Sequence, residues 1–235
     1  MDNKLKKFSD ELLKKAGNNL VSLIVYGSVA TGEYYKKSDY NTLIALNEIG
    51  LNELNAISAL IKKWVSQGNA VPMIFTKETI KMSIDVFPLE FIDIKENHIV
   101  IYGEDLFKNM KINTKNLRLE VEKELKGIFL KLTRAYLMTE GKKNELKKLM
   151  LNSISGVISL FKGVLRVYKI KVPVKKYDVI NAMPQSIKLN KTIFFDILRL
   201  KDDVQIFNDD EITSIFSEYV ENIKKVIKNV DKKGA

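Results

Sequence analysis

A glycine and a serine, Gly27 and Ser28, directly follow an apolar run of β-branched and aromatic residues that predicts a strand. Ser28 is a preferred helix N-cap residue, and a short helical turn after it can close at Gly32. The start of such a turn presents unpaired N–H groups and a positive dipole end. These residue types in this order therefore favour binding of an anionic phosphate group, with the Ser28 hydroxyl as a further donor.

A second predicted strand begins directly after Ser38 and Asp39. Because side chains alternate along a strand, Asp39 and Asn41 point to the same face of the sheet. Carboxylate and amide oxygens are hard ligands of the kind that Mg²⁺ prefers. Either Lys36 or Lys37, in the preceding loop, can supply positive charge to a triphosphate. The second strand therefore adds a possible metal ligand set to the predicted phosphate turn.

The pattern of Gly27-Ser28 followed by a strand with Ser38-Asp39 and Asn41 resembles the signature of the nucleotidyltransferase superfamily related to DNA polymerase beta. This resemblance implies that the Gly-Ser turn holds nucleotide phosphates. It also implies that two strand acids hold magnesium together with a third carboxylate from a later strand. In this chain Asn41 replaces the second acid. The stretch of residues 86–105 is similar to an uncharacterised bacterial and archaeal branch with Ser-Asp-x-Asn, in which Asn41 would be native.

The third carboxylate is expected within residues 87–94, where we predict a strand from Leu89 to Ile94. Glu90 and Asp93 are three residues apart, so in a regular strand they face opposite ways and only one can join Asp39. We choose Glu90, because the third acid of the family lies near the start of its strand. The predicted site residues are Asp39 and Glu90 for catalysis; Asp39, Asn41 and Glu90 for Mg²⁺ or Mn²⁺; and Gly27, Ser28, Lys37 and Ser38 for the nucleoside triphosphate.

The neutral side chain of Asn41 leaves two negative charges in this site instead of three, so a second metal ion should bind weakly. One predicted function is magnesium-dependent transfer of a nucleoside monophosphate from an NTP to an unidentified small-molecule, protein or RNA acceptor. The alternative is a catalytically weak or inactive nucleotide-binding or regulatory module. RNA binding by the basic second half is a third option, although the aromatic-plus-basic motifs of common RNA modules are missing.

Composition narrows the remaining classes. The chain has 235 residues, 46% of them hydrophobic, and is long enough for one or two cores. It has no cysteine and a single histidine, which excludes disulfides and thiolate or multi-histidine zinc sites. No apolar run suggests a membrane span, and the first residues read as an amphipathic helix, so we expect a cytoplasmic protein without a membrane partner. Its oligomeric state cannot be read from the sequence.

The pattern of elements changes near residue 113. Up to that point helices and strands alternate, which predicts a short mixed sheet with flanking helices; beyond it only helical periodicity occurs. We therefore predict an α/β nucleotidyltransferase-like domain at 1–112 and an all-α helical bundle domain at 113–235. Charge divides similarly: residues 1–110 hold 13 Lys+Arg and 14 Asp+Glu, whereas residues 111–235 hold 26 and 15. The basic half is either a solvated helical surface or a wall that attracts a polyanion.

Overall fold

A computed structural model describes residues 3–32, 40–112, 114, 116–202 and 211–233, with the side chain of Ser28 outside this description. The chain divides into two compact units, Met1–Thr114 and Lys115–Ala235. The predicted boundary at 112/113 falls two residues before this division. The predicted fold class, a small mixed sheet with flanking helices followed by a helical region, is confirmed.

The first unit is built on a four-stranded sheet with the strand order β3-β2-β1-β4. Its strands are β1 (Leu20–Tyr26), β2 (Asn41–Leu46), β3 (Met73–Thr76) and β4 (His98–Gly103). Strand β1 is antiparallel to both β2 and β4, and β2 is parallel to β3. The helices of this unit are α1 (Asn3–Ala16), α2 (Leu51–Ser66), α3 (Lys77–Ser83) and α4 (Pro88–Glu96). Along the chain, the two predicted motifs, Gly27-Ser28 and Ser38-Asp39, thus lie between the central strands β1 and β2.

Each face of the sheet has its own apolar core, since alternate side chains of β1 and β2 point to opposite faces. On one face α1 and α2 pack around Trp64, which is 2% exposed and stacks on Phe8 at a ring distance of 4.1 Å. The other face presents Ile24, and helices α3 and α4 pack against it. The remaining buried residues of this second core are Leu43, Ala45, Ile80, Phe91, Ile94 and Phe107.

The strand predicted at Leu89–Ile94 is wrong, because this segment forms α4 with Pro88 at its first turn. Proline is favoured at the first position of a helix, where its missing N–H costs nothing. Five of the nine residues of α4 are buried, so its apolar residues show no one-sided helical period. The correction matters for the site: residues three apart lie on the same side of a helix, so Glu90 and Asp93 no longer face opposite ways.

The second unit is entirely helical in its described residues. Its helices are α5 (Leu117–Thr139), α6 (Lys143–Val167), α7 (Lys176–Ala182), α8 (Lys191–Lys201) and α9 (Ile212–Lys232). Among the described helices, α6 is the one long and apolar enough to cross a membrane. Ten of its residues are buried within the protein, among them Ile154, Phe161 and Val164, which is how the central helix of a bundle behaves.

Candidate nucleotide site

The predicted phosphate turn forms a tight 3-10 turn at Gly27–Val29, directly at the end of β1. The carbonyl of Gly27 accepts hydrogen bonds from the amides of Ala30, at 3.1 Å, and Thr31, at 3.2 Å. Gly27 has φ +77°, and Gly32 closes the loop with φ +74°. The turn starts two residues earlier than predicted, so Ser28 lies inside it and Tyr26 occupies the N-cap position.

Asn41 lies against this turn from the first residue of β2. It is paired with Tyr26 in the β1–β2 register, which places it beside the residue that precedes the turn. A Cβ atom built on Gly27 would be only 3.1 Å from Asn41 Nδ2. Glycine at position 27 therefore meets two requirements at once: it adopts a positive φ, and it leaves room for the Asn41 amide.

Tyr40 anchors the start of β2 on the opposite face of the sheet from Asn41. Its side chain is 3% exposed, and its ring lies 5.6 Å from that of Trp64. The ammonium group of Lys4 lies 5.8 Å from the centre of the Tyr40 ring. This aromatic and cation–π packing holds the backbone next to Asn41 in place.

Strand β3, which pairs with β2 at the edge of the sheet, supplies no acid to the site. In the parallel register, Met73 and Phe75 of β3 pair with Leu43 and Ala45, which share a face with Asn41. Neither residue has a side-chain oxygen, and the whole of β3, residues 73–76, contains no carboxylate. A third acid for this face must therefore come from outside β3.

Glu90 is one source, now from the first turn of α4. Its Oε2 atom is buried, and no hydrogen-bond donor contacts it within the described residues. An unpaired buried carboxylate oxygen is costly, and a cation is a natural partner for it. The neighbouring Phe91 contacts Phe75 at a ring distance of 5.8 Å, at the level of Ala45. That level is about 13 Å along β2 from Asn41, so Glu90 must point back toward Asn41 to share an ion with it.

Three predicted site residues, Lys37, Ser38 and Asp39, lie outside the described residues. Within the described residues, no group of three or more His, Asp or Glu side chains could hold a metal ion. The oxygens present at Asn41 and Glu90 are hard donors that suit Mg²⁺ or Mn²⁺. The described part of the site thus fits a divalent cation by donor type, with Asp39 as the predicted principal ligand.

His98 and Asp105 form a polar pair near the turn that the sequence interpretation did not anticipate. His98 pairs with Tyr26 on the side opposite Asn41, so the three residues form one row across the sheet. Its Nδ1 lies 2.8 Å from the Ile94 carbonyl oxygen, and its Nε2 lies 3.0 Å from Asp105 Oδ1. Both ring nitrogens are engaged, so His98 links the end of α4 to the segment that follows β4.

Asp105 is held by several donors. Partial burial acts to raise its pKa, but hydrogen bonds from the Phe107 amide and from His98 outweigh it, so the pKa is lowered. The Lys108 amide also donates to Asp105 Oδ1, at 3.0 Å. A sequence signal did exist, since Asp is typical of positions that accept bonds from amides two and three residues later. Asp105 therefore holds the backbone of Phe107 and Lys108, which follow β4, close to His98 at the start of β4.

Residues 5–101 match the family model described as the nucleotidyltransferase domain. The match lies entirely within the first unit, so that unit is similar to a nucleotidyltransferase domain. The matched residues include β1, β2, β3 and the first part of β4, and with them Gly27, Asn41 and Glu90, whereas Asp105 lies beyond the match.

Comparison with solved structures shows a likeness of fold that extends beyond the matched domain. Spectinomycin adenyltransferase AAD(9) from Enterococcus faecialis, solved with ATP and spectinomycin, has a TM-score of 0.61 at 12% identity, covering 94% of this chain and 98% of that chain. A toxin-antitoxin structure with AMP-PNP has a TM-score of 0.32 at 13% identity, covering 56% of this chain and 99% of that chain. No curated protein matches the sequence. At such identities the first comparison shows the fold alone.

Proposed function

We propose that this protein transfers a nucleoside monophosphate from an NTP to an acceptor hydroxyl or amine in a Mg²⁺-dependent reaction. The observation that carries the proposal is the tight turn at Gly27, where a positive φ and the adjacent Asn41 amide form a compact polar corner at the end of β1. This corner lies within the matched nucleotidyltransferase domain. The acceptor is unidentified, and the proposed location is the cytoplasm, where NTPs are available.

The proposed roles follow the residue types. The turn at Gly27-Ser28 binds the β- and γ-phosphates, with Lys37 and Ser38 as further donors. Asp39, Asn41 and Glu90 would hold Mg²⁺ or Mn²⁺, which supplies charge neutralisation to the phosphates when bound. The acceptor oxygen or nitrogen forms a bond to the α-phosphorus, the bond to pyrophosphate breaks, and Glu90 takes the acceptor proton. No side-chain nucleophile is required, because positioning and electrostatic stabilisation drive such transfers.

A second candidate is a nucleotide-binding module that turns over slowly or not at all. Two observations favour it: Asn41 is uncharged, and the neighbouring strand β3 carries no acid on the face shared with Asn41. Weak retention of a second metal ion follows from this reduced negative charge. Both candidates predict nucleotide binding at the Gly27 turn, so turnover separates them.

The first test measures nucleotide binding through the melting temperature. ATP with Mg²⁺ should raise the melting temperature of the full chain, because a ligand that binds only the folded state stabilises it. Asp39→Ala should abolish the part of the shift that depends on Mg²⁺, whereas Asp85→Ala, at an exposed residue of the same unit, should leave it intact. An unchanged metal-dependent shift in Asp39→Ala would refute the proposed site.

The second test distinguishes the two candidates by pyrophosphate release with mixed acceptors and either Mg²⁺ or Mn²⁺. Release by the wild-type protein, lost in Asp39→Ala, supports the transferase. We expect Asn41→Asp to increase the release at low metal concentration, since a carboxylate at position 41 restores the third negative charge of the proposed ligand set. If the wild-type protein binds ATP without release and Asn41→Asp creates release, the binding module is correct.

A further inference from the structure

One face of the second unit carries large apolar side chains that are open to solvent. Near the C-terminal end of α5, Leu130 is 57% exposed, Tyr136 39%, Leu137 75% and Met138 84%. Leu130 and Leu137 are seven residues apart, so they lie on one side of the helix, whereas Met138 is turned about 100° away from Leu137. Large apolar side chains exposed close together on a folded protein are typical of an interaction surface.

A groove lies beside these side chains, between α5 and α9. Its volume is about 490 Å³, and its walls include Tyr136, Leu137, Phe216 and Val220. The rings of Tyr136 and Phe216 stack at 5.5 Å with an interplanar angle of 13°, so two nearly parallel aromatic rings line the groove. We name the groove together with the exposed side chains of α5 the α5–α9 face. This face combines exposed apolar side chains with a groove whose walls are also largely apolar.

The two walls of the groove carry opposite charges. Helices α5 and α9 run antiparallel, because Tyr136 contacts Phe216 while Lys126 approaches Asp231 at the other end. Arg134 lines the α5 wall, and Glu221 lines the α9 wall. Glu221 instead pairs with Lys224 at 2.5 Å, in a contact where both side chains are about half exposed. Such a surface pair is weak and readily exchanged.

These features fit a second copy of the same chain better than an anionic surface or an acidic peptide. An anionic partner would meet Glu221 on one wall, and like charges there would repel it. A two-fold axis along the groove places α5 of one copy over α9 of the other, so that Arg134 faces Glu221 of the second copy twice. The same rotation places the exposed Leu137 over the α9 wall of the opposite groove. Isologous dimers are the commonest assemblies and require such self-complementary surfaces.

We propose that the α5–α9 face is the interface of a two-fold homodimer. The proposal is independent of the nucleotide site, since its residues all belong to the second unit. Sedimentation velocity of the full chain should show a concentration-dependent dimer. Leu137→Glu should weaken the dimer at least tenfold, because it buries a charge in an apolar contact. Leu51→Glu, at a leucine of α2 that is 79% exposed, is the matched control and should leave the dimer unchanged.

A charge exchange tests the orientation of the two copies. Arg134→Glu and Glu221→Arg should each weaken dimerisation about tenfold, and the double variant should restore it, because the pair is re-formed with its charges reversed. Far-UV circular dichroism verifies that each variant is folded. A monomer at every accessible concentration, or a dimer that Leu137→Glu leaves intact, overturns the proposal. Single charge variants that weaken the dimer without rescue by the double variant overturn the proposed orientation.

Discussion

The close approach of Asn41 to Gly27 determines which residues position 27 can accept. The amide nitrogen of Asn41 lies 3.1 Å from where a Cβ atom would stand, closer than most real contacts of that atom. The glycine also has φ +77°, a conformation that L-residues adopt at a cost. A side chain there thus meets both a steric and a conformational obstacle at the predicted phosphate turn.

Gly27→Ala should therefore affect both stability and nucleotide binding. We expect a loss of about 1–2 kcal/mol from the left-handed conformation, together with a displaced Asn41 amide and a smaller melting shift with ATP and Mg²⁺. Gly68→Ala is the matched control: Gly68 has φ +85°, but nothing lies within 4 Å of the position that a Cβ atom would take there. It should lose comparable stability and keep the full ATP shift. Equal ATP shifts in both variants would show that the turn does not bind the nucleotide.

The sequence alone could place Gly27 beside Asn41, but it could not place Glu90. Gly27 and Asn41 could be placed together because they end and begin adjacent predicted strands that pair directly. The location of Glu90 depends on how α4 packs across the sheet, through contacts such as Phe91 with Phe75. Such long-range packing leaves no local pattern, so spacing alone could not settle it.

At the scale of elements, one-sided apolar periodicity was the reliable signal. The amphipathic helix predicted for the first residues is α1, in which Leu5, Phe8 and Leu12 form a single buried stripe. The error at α4 has the opposite cause: burial on most sides removes that stripe. A proline at the start of an apolar run, as at Pro88, was the remaining sign of a helix.

A charged network on α5 contributes to the bundle. Glu122 has a side chain only 12% exposed and accepts hydrogen bonds from Lys126 and, at 2.5 Å, from Arg118. The bond from Lys126 contributes most to lowering the pKa of Glu122 below its usual 4.5, against partial burial that raises it; the Arg118 bond lowers it further. A carboxylate whose pKa is lowered on folding stabilises the folded state above its unfolded pKa, and this contribution is lost as the pH falls through the folded value.

Glu122→Gln should destabilise the protein by about 1 kcal/mol at neutral pH. The difference from the wild type should shrink below about pH 4, where the wild-type carboxylate is itself protonated. Urea unfolding followed by circular dichroism at several pH values measures both effects. Glu145→Gln removes the exposed partner of Lys148 and should cost less than about 0.5 kcal/mol. A difference for Glu122→Gln that persists undiminished at pH 3 would contradict the charge argument.

At the scale of the whole molecule, the two units differ in architecture and charge. The first is an α/β unit, and the residues up to 110 have a net charge of −1; the second is helical, and the residues from 111 onward have a net charge of +11. Each unit has its own buried residues, around Trp64 in the first and along α6 in the second. This organisation predicts that each unit contains enough core to fold separately.

Fragments of residues 1–114 and 115–235 should each unfold cooperatively on heating, because each unit has a buried apolar core of its own. Circular dichroism of the two purified fragments, compared with the full chain, measures this. Both should show a sigmoidal transition and secondary structure matching their share of the intact protein. A fragment without a cooperative transition would show that the division at residue 114 is not a folding boundary.

Trp64 is the single tryptophan of the chain, and it is enclosed between α1, α2 and the sheet. Its emission colour and intensity therefore respond to events in the first unit, whereas the far-ultraviolet signal of helices comes largely from the second. One unlabelled sample therefore gives two signals: tryptophan fluorescence, which reports on the first unit, and far-ultraviolet circular dichroism, which reports mainly on the second. Denaturation followed by both signals shows the order in which the two units unfold, without any added dye or engineered reporter.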